Sequence, residues 1–124
     1  MRIKITKSYG RGGFTMGDVK ISLNKNGGGR IAVVIAFYND NYKKISTTEY
    51  AIPSLDEELG RLYFETGNQT DGFKLTQTKE SSVRRMSFII KDKEIWASRM
   101  GSYNLLYDTN EKLYYIDFAS KIKV

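Results

Sequence analysis

Apolar and polar residues alternate along much of the chain, which is the two-residue period of a β-strand with one buried face. Residues 2–6 (RIKIT) and 19–23 (VKISL) show this alternation clearly. Residues 30–38 (RIAVVIAFY) are almost continuously apolar, which is typical of a strand covered on both faces. The polar stretch 42–50 (YKKISTTEY) predicts an edge strand, because its adjacent lysines discourage pairing with another strand.

The second half of the chain predicts hairpins. They join 61–66 to 73–78, 83–91 to 94–99, and 103–108 to 112–118. Ahead of them, Ser54 and Glu57 fit a capping box and Gly60 suits a helix end, so we expect one helical turn at 55–59. The prediction is a mostly β fold of about ten strands, arranged as an antiparallel sheet or a barrel-like sheet.

The chain also contains an apparent internal repeat. RLYFETGNQTDGFKLTQ (61–77) resembles NLLYDTNEKLYYIDF (104–118), and residues 19–33 resemble residues 84–97 more loosely. We therefore expect two copies of a four-strand unit related by a pseudo-two-fold axis, within a single domain that spans residues 1–124. The predicted units are residues 19–78 and residues 83–118.

Composition narrows the possible chemistry. The 124 residues include no His and no Cys, so the usual zinc ligands and the Cys–His or Ser–His nucleophiles are missing. The one acidic run, Asp56-Glu57-Glu58, is explained by the predicted helix start. We expect no enzyme activity, no metal and no cofactor. The start of the chain has no apolar signal core and the longest apolar run is eight residues, so we expect a cytoplasmic protein with no membrane partner.

The charge balance favours a polyanionic partner. Lys and Arg number 20 against 14 Asp and Glu, and the chain has nine Tyr and six Phe. Cations bind phosphate and aromatic rings stack on bases, so this combination suits a nucleic acid. The alternative is that Tyr and Phe are common in any β-strand and that Lys serves solubility.

Two glycine-rich stretches carry candidate binding residues. Arg11 lies in GRGGF, which is similar to the Arg-Gly-Gly segments of RNA-binding proteins; a simple connector is the alternative. Lys25 and Arg30 flank three glycines whose backbone N–H groups are able to approach an anion; a long hairpin loop is the alternative. If the two loops lie together, Arg11, Lys25 and Arg30 form one basic surface.

The remaining candidates lie in the predicted hairpins. Trp96 is either a core residue or, if exposed, an anchor for a base or a protein. Tyr63 is predicted to be one of a set of rings that alternate between the two faces of their strands. Outward rings beside cations would form a stacking platform, unless the rings only pair across strands to stabilise the sheet. The cations predicted to lie beside such rings are Arg61, Lys74, Arg84 and Lys112.

The residues 19–78 resemble two families of small DNA-binding proteins. The segment ISLNKNGGGRIAV, followed by LDEELGRLYFETGNQTDGFKLT, resembles the swapped-hairpin transition-state regulators of bacteria and phages. It is also similar to the single-stranded DNA-binding coactivator fold. This resemblance implies a dimerising β protein that binds DNA through basic and aromatic residues. The connector 39–53 is longer than in either family, so their DNA-reading arginines have no counterparts by position.

The sequence therefore predicts a nucleic-acid-binding module that favours single-stranded DNA or RNA, as a monomer or homodimer. The composition also resembles that of small phage or mobile-element proteins. The first alternative is a phage-type protein that binds and inhibits a host enzyme or defence system, since exposed Tyr, Trp and Arg serve as anchors in such interfaces. The second alternative is a β protein that binds a small molecule between its sheets.

Overall fold

The computed structural model describes residues 17–25, 27–77 and 82–122, which form ten strands and a few short helices. The strands are β1 (Val19–Lys25), β2 (Ile31–Phe37), β3 (Tyr50–Asp56), β4 (Arg61–Thr66), β5 (Phe73–Lys74), β6 (Thr76–Gln77), β7 (Arg84–Ile90), β8 (Gly101–Tyr103), β9 (Leu106–Asp108) and β10 (Leu113–Asp117). The helices are α1 (Tyr42–Ile45) and α2 (Lys93–Ala97), with 3₁₀ segments at Gly27–Gly29 and Phe118–Ser120. The strand predicted at 2–6 lies outside the described residues.

These strands form two five-stranded sheets in which every neighbouring pair is antiparallel. The first sheet has the order β6-β7-β2-β1-β8, and the second has the order β5-β3-β4-β10-β9. The predicted mostly β, antiparallel class is confirmed. Within the described ranges, no helix is long and apolar enough to cross a membrane.

Strand β2 is the centre of the first sheet. It pairs along its whole length with β1 on one side and with β7 on the other. Val33, Ile35 and Phe37 face the core and are fully buried, while Ala32 and Ala36 on the opposite face are nearly as buried. Burial on both faces explains why this segment is apolar throughout, as the sequence predicted.

One core lies between the two sheets. The ring of Phe37 in the first sheet meets the ring of Phe64 in the second, edge to face, with centroids 5.1 Å apart. Leu62 and Ile116, which are paired across β4 and β10, are buried with them. The core therefore joins residues that are distant in the sequence, and neither sheet buries its apolar face without the other.

The helical turn predicted at 55–59 is wrong. Strand β3 continues to Asp56, and residues 57–60 form the tight turn to β4. The Asp56 carboxylate accepts the N–H of Leu59 at 3.0 Å, and Gly60 has the positive φ of 66° that the turn requires. Pairing of β3 with β4 from residue 51 to residue 56 outweighs the local capping signal.

Two predicted strands contain helices instead. Residues 94–99 do not pair with β7: α2 begins after Asp92, whose carboxylate accepts the Ile95 N–H at 3.2 Å. Asp92 is thus an N-cap residue, and an Asp at this position is a local signal for a helix start that the strand prediction did not use. The predicted edge strand 42–50 begins with α1 and becomes extended only at Tyr50.

Only some of the predicted hairpins form. The β1–β2 hairpin forms. The last predicted hairpin forms over β9 and β10, but Tyr103, predicted to begin its first strand, belongs to β8 of the first sheet. The hairpin predicted between 61–66 and 73–78 is wrong, because β5 pairs with β3 and β6 pairs with β7. The internal repeat is not confirmed: residues 19–33 contain β1 and the turn into β2, whereas residues 84–97 contain β7 followed by α2.

Tyr103 gives this fold an expected sensitivity to alkali. The side chain is fully buried, its hydroxyl donates to the Arg99 carbonyl oxygen, and burial raises the pKa of Tyr103 from 10.0 to about 12. Because this pKa is raised in the folded state, the stabilisation is complete below pH 10 and is lost as the pH rises towards 12. Urea denaturation across this range should show a steeper fall in unfolding free energy for the native chain than for Tyr103→Phe. Equal slopes would contradict the assignment.

Candidate functional site

One hollow on the surface of the described residues is lined by two lysines and two tyrosines. We call it the tyrosine–lysine hollow and define it by Lys44, Tyr107, Lys112 and Tyr114. It has a volume of about 160 Å³ and lies between α1 and the β9–β10 hairpin. Both lysines are exposed, Tyr107 is 49% exposed and Tyr114 is half-buried. The hollow therefore offers accessible ring surface next to positive charge. Glu65 also lines it.

Local structure explains why these four side chains meet. Tyr107 and Tyr114 are partners across the β9–β10 ladder, and their rings pack edge to face at 4.9 Å. Lys112 occupies the turn between these strands with a φ of 58°, and its N–H donates to the Asp108 carbonyl at 2.7 Å. Lys44 lies in the last turn of α1. The hairpin thus supplies three members of the hollow and the helix supplies the fourth.

A polar network on the opposite face of β4 and β10 holds this hairpin in place. The Tyr63 hydroxyl donates to the Asp108 carboxylate at 2.9 Å, and Arg61 Nη1 lies 3.4 Å from the same carboxylate. The Arg61 guanidinium covers the Tyr115 ring at 4.5 Å. Hydrogen bonds from the Glu111 N–H and then from the Tyr63 hydroxyl lower the pKa of Asp108. Asp108 therefore stays ionised and anchors the turn that carries Lys112.

A second basic surface lies on the outward face of the first sheet. Lys20 and Arg85 lie on either side of Ala36 across β1, β2 and β7. Arg85 and Lys74 also line a depression of about 360 Å³ together with Thr76. Register places Ser22, Ser87 and Ser102 on the same face. No carboxylate appears among the described residues that register assigns to this face, which we call the basic sheet face.

The sequence-predicted basic residues that the structure describes lie at more than one place on the molecule. Arg11 lies outside the described residues. Lys25 and Arg30 are exposed at the β1–β2 turn, whereas Arg84 is at the other end of β7, about 20 Å along the sheet. Arg84 places its guanidinium 4.9 Å from the Tyr42 ring and donates to the Leu75 carbonyl. Lys74 is exposed and belongs to the basic sheet face.

Trp96 and Tyr63 were predicted to bind nucleic acid. Both side chains are buried, which argues against this prediction. Trp96 is 8% exposed and lies on α2, where it packs against Phe88 and Phe118. Tyr63 is 7% exposed, and its hydroxyl is engaged by Asp108. Neither ring is accessible for stacking on a base.

Trp96 instead belongs to a structural cluster centred on Arg99. The guanidinium of Arg99 lies between the rings of Trp96 and Phe118, at 4.7 Å and 4.6 Å from their centroids. Its Nη2 donates to the Glu57 carboxylate at 2.9 Å. This cluster ties α2 to the β3–β4 turn, so Arg99 serves packing between elements rather than an exposed surface.

Of the four residues that define the hollow, the sequence predicted only Lys112 as a candidate for binding. Lys112 was placed next to outward rings because its strand alternates. Lys44 and Tyr107 were not predicted to belong to a binding site, because only the tertiary structure brings α1 against the last hairpin. Among the described residues there is no group of three side chains suited to bind a metal ion.

Comparison with known proteins adds no assignment. No family model matches this chain, and no curated protein or solved structure does so either.

Proposed function

We propose that this protein binds single-stranded nucleic acid, and that the tyrosine–lysine hollow contacts it. The observation that carries the proposal is the placement of an exposed tyrosine and a half-buried tyrosine beside two exposed lysines in one hollow. Aromatic rings stack on unpaired bases of any sequence, and neighbouring cations bind the phosphates that link them. The expected partner is therefore DNA or RNA with exposed bases.

Helix length favours a single strand over a duplex. The described helices have four and five residues, so each is less than about 8 Å long. A helix of this length does not reach across a major groove in the way that helical DNA-reading motifs do. Stacking in the hollow requires bases that are already unpaired.

Charge supports the same proposal. The chain carries a net charge of +6, and the basic sheet face combines Lys20, Lys74 and Arg85 with serine and threonine hydroxyls. Lysine, arginine and hydroxyl side chains are the groups that contact phosphate oxygens without reading sequence. We propose that this face extends the binding path for the phosphate backbone.

Fluorescence anisotropy tests the proposal. Labelled single-stranded DNA, single-stranded RNA and duplex DNA of equal length are titrated with the protein at a low and a high salt concentration. We expect both single strands to bind more tightly than the duplex, with affinity that falls steeply with salt because counterions are released. Absence of binding at both salt concentrations would refute nucleic-acid binding, and tighter duplex binding would refute the stacking mode.

A further inference from the structure

A further concave surface lies on the second sheet, between the β3–β4 turn and the β9–β10 turn. This cleft has a volume of about 640 Å³, within the range of ligand-binding clefts. Its aliphatic lining residues are Leu55 and Leu113, and Tyr63, which also lines it, is only 7% exposed. Leu55 is 40% exposed, and Leu59 in the adjoining turn is 55% exposed. These two leucines place accessible apolar surface beside the cleft.

The charge around this cleft is opposite to that of the whole chain. Asp56, Glu57, Glu58 and Glu111 line it, and none of its lining residues is Lys or Arg. Arg61 pairs with Asp56 across the β3–β4 ladder, but its guanidinium is directed to Asp108 and the Tyr115 ring. Although the chain as a whole is basic, carboxylates from two turns that are distant in the sequence surround one apolar surface.

Two of these carboxylates have structural partners among the residues that the structure describes. The Asp56 carboxylate closes the β3–β4 turn, and Glu57 is paired with Arg99. Glu58 and Glu111 form no ion pair with any residue that the structure describes. These two exposed carboxylates stand on opposite turns of the cleft, where an incoming cation would contact them.

We infer that the cleft binds a basic, partly apolar segment of a partner protein, in which Lys or Arg residues accompany a large apolar side chain. The apolar side chain would lie against Leu55 and Leu113, and the cations would contact Glu58 and Glu111. Charge complementarity selects this partner: nucleic acid and acidic peptides are repelled by the rim, and opposite charges guide binding and register. The cleft adjoins the tyrosine–lysine hollow at Leu113, but the inference concerns the acidic cleft alone and does not rest on the proposed function.

The cleft is also pre-formed. The Asp56–Leu59 hydrogen bond fixes one wall, the Glu57–Arg99 ion pair ties that wall to α2, and the Tyr63–Asp108 hydrogen bond fixes the floor and the other turn. A partner segment would therefore bind without first ordering the site, which reduces the entropic cost of association.

Selection from a random peptide library displayed on phage tests this inference, with the folded full-length chain as bait. Enriched peptides are then synthesised and titrated against the native chain and three variants. Glu58→Lys/Glu111→Lys reverses the free carboxylates. Leu55→Ser removes the apolar contact. Glu49→Lys/Glu94→Lys is the matched control, because it makes the same change in net charge at exposed residues that line neither the cleft nor the hollow. Thermal melting confirms that each variant is folded.

We expect enriched peptides to combine Lys or Arg with apolar residues, and to lose about tenfold in affinity for Glu58→Lys/Glu111→Lys and for Leu55→Ser. The control should bind as the native chain does, and the cleft variants should retain binding to single-stranded DNA. Enrichment of peptides without basic residues, or equal binding by the cleft and control variants, would overturn the inference. Self-association that disappears only in the cleft variants would assign the cleft to a second copy of the chain and would also overturn it.

Discussion

Replacing Phe64 with Ala is expected to lower the free energy of unfolding by about 4 kcal/mol, the largest stability effect among the substitutions considered for this protein. Phe64 is 1% exposed and meets Phe37 of the opposite sheet edge to face. Its truncation removes buried apolar surface and leaves a cavity that two hydrogen-bonded sheets fill poorly. The loss is measured by urea denaturation followed by circular dichroism.

Phe73 provides the matched control. It is 41% exposed at β5, although its ring contacts that of Phe88 at 5.6 Å. We expect Phe73→Ala to cost about 1 kcal/mol, because much of its ring surface is already hydrated in the folded state. Similar losses for the two variants would contradict a shared core between the sheets.

Reversing the charge of both lysines in the tyrosine–lysine hollow is expected to weaken binding to single-stranded DNA about a hundredfold at low salt, which is about 2.7 kcal/mol. Lys44→Glu/Lys112→Glu removes two cations that we propose to contact phosphate, and adds repulsion. The slope of log affinity against log salt concentration should fall by about two, one for each lost contact. Anisotropy titrations over several salt concentrations measure both quantities.

Lys91→Glu/Lys93→Glu is the control for this prediction. Both residues are exposed and lie at the end of β7 and the start of α2, outside the hollow and the basic sheet face. The net charge changes by the same amount, so only a small loss from general attraction is expected. Equal weakening by the two double variants would show that the hollow has no special part in binding.

Tyr107→Ala separates stacking from charge. Loss of the exposed ring should weaken binding by about 1–3 kcal/mol and leave the salt slope unchanged, because no cation is removed. A change in slope without a loss of affinity would contradict stacking at this ring. Tyr107 packs edge to face against Tyr114, so thermal melting of the variant is needed alongside the titration.

Where the sequence predicted the structure correctly, the signal was local. The alternation in β1, the continuous apolar run of β2 and the turn residues between β9 and β10 each act within a few residues, and these strands form as predicted. The errors also have local causes. Ser54 and Glu57 have the residue types of a capping box, which favours a helix. The segment is a strand instead, because β3 pairs with β4 from residue 51 to residue 56.

Burial of the predicted site residues was not predictable in the same way. The residues that flank Tyr63 and Trp96 in the sequence alternate or mix apolar and polar types. They therefore do not predict whether either side chain is buried. Tyr63 is buried because the hairpin that carries Asp108 pairs beside β4, and Trp96 because Phe118 and Arg99 arrive from later parts of the chain. The partner residues lie 45 positions away in the case of Tyr63 and Asp108, beyond any pattern in a short window.

The sequence by itself determined that this is a basic, mostly β chain, because strand periodicity, turn residues and charge are properties of short segments. Only the tertiary structure decided that β5 pairs with β3 in the second sheet while β6 pairs with β7 in the first, and that Lys44 of α1 meets Tyr107 and Lys112 of the last hairpin. It also decided that carboxylates from two turns surround one apolar cleft. These arrangements depend on how the two sheets bury their apolar faces together, and that packing is a property of the whole chain.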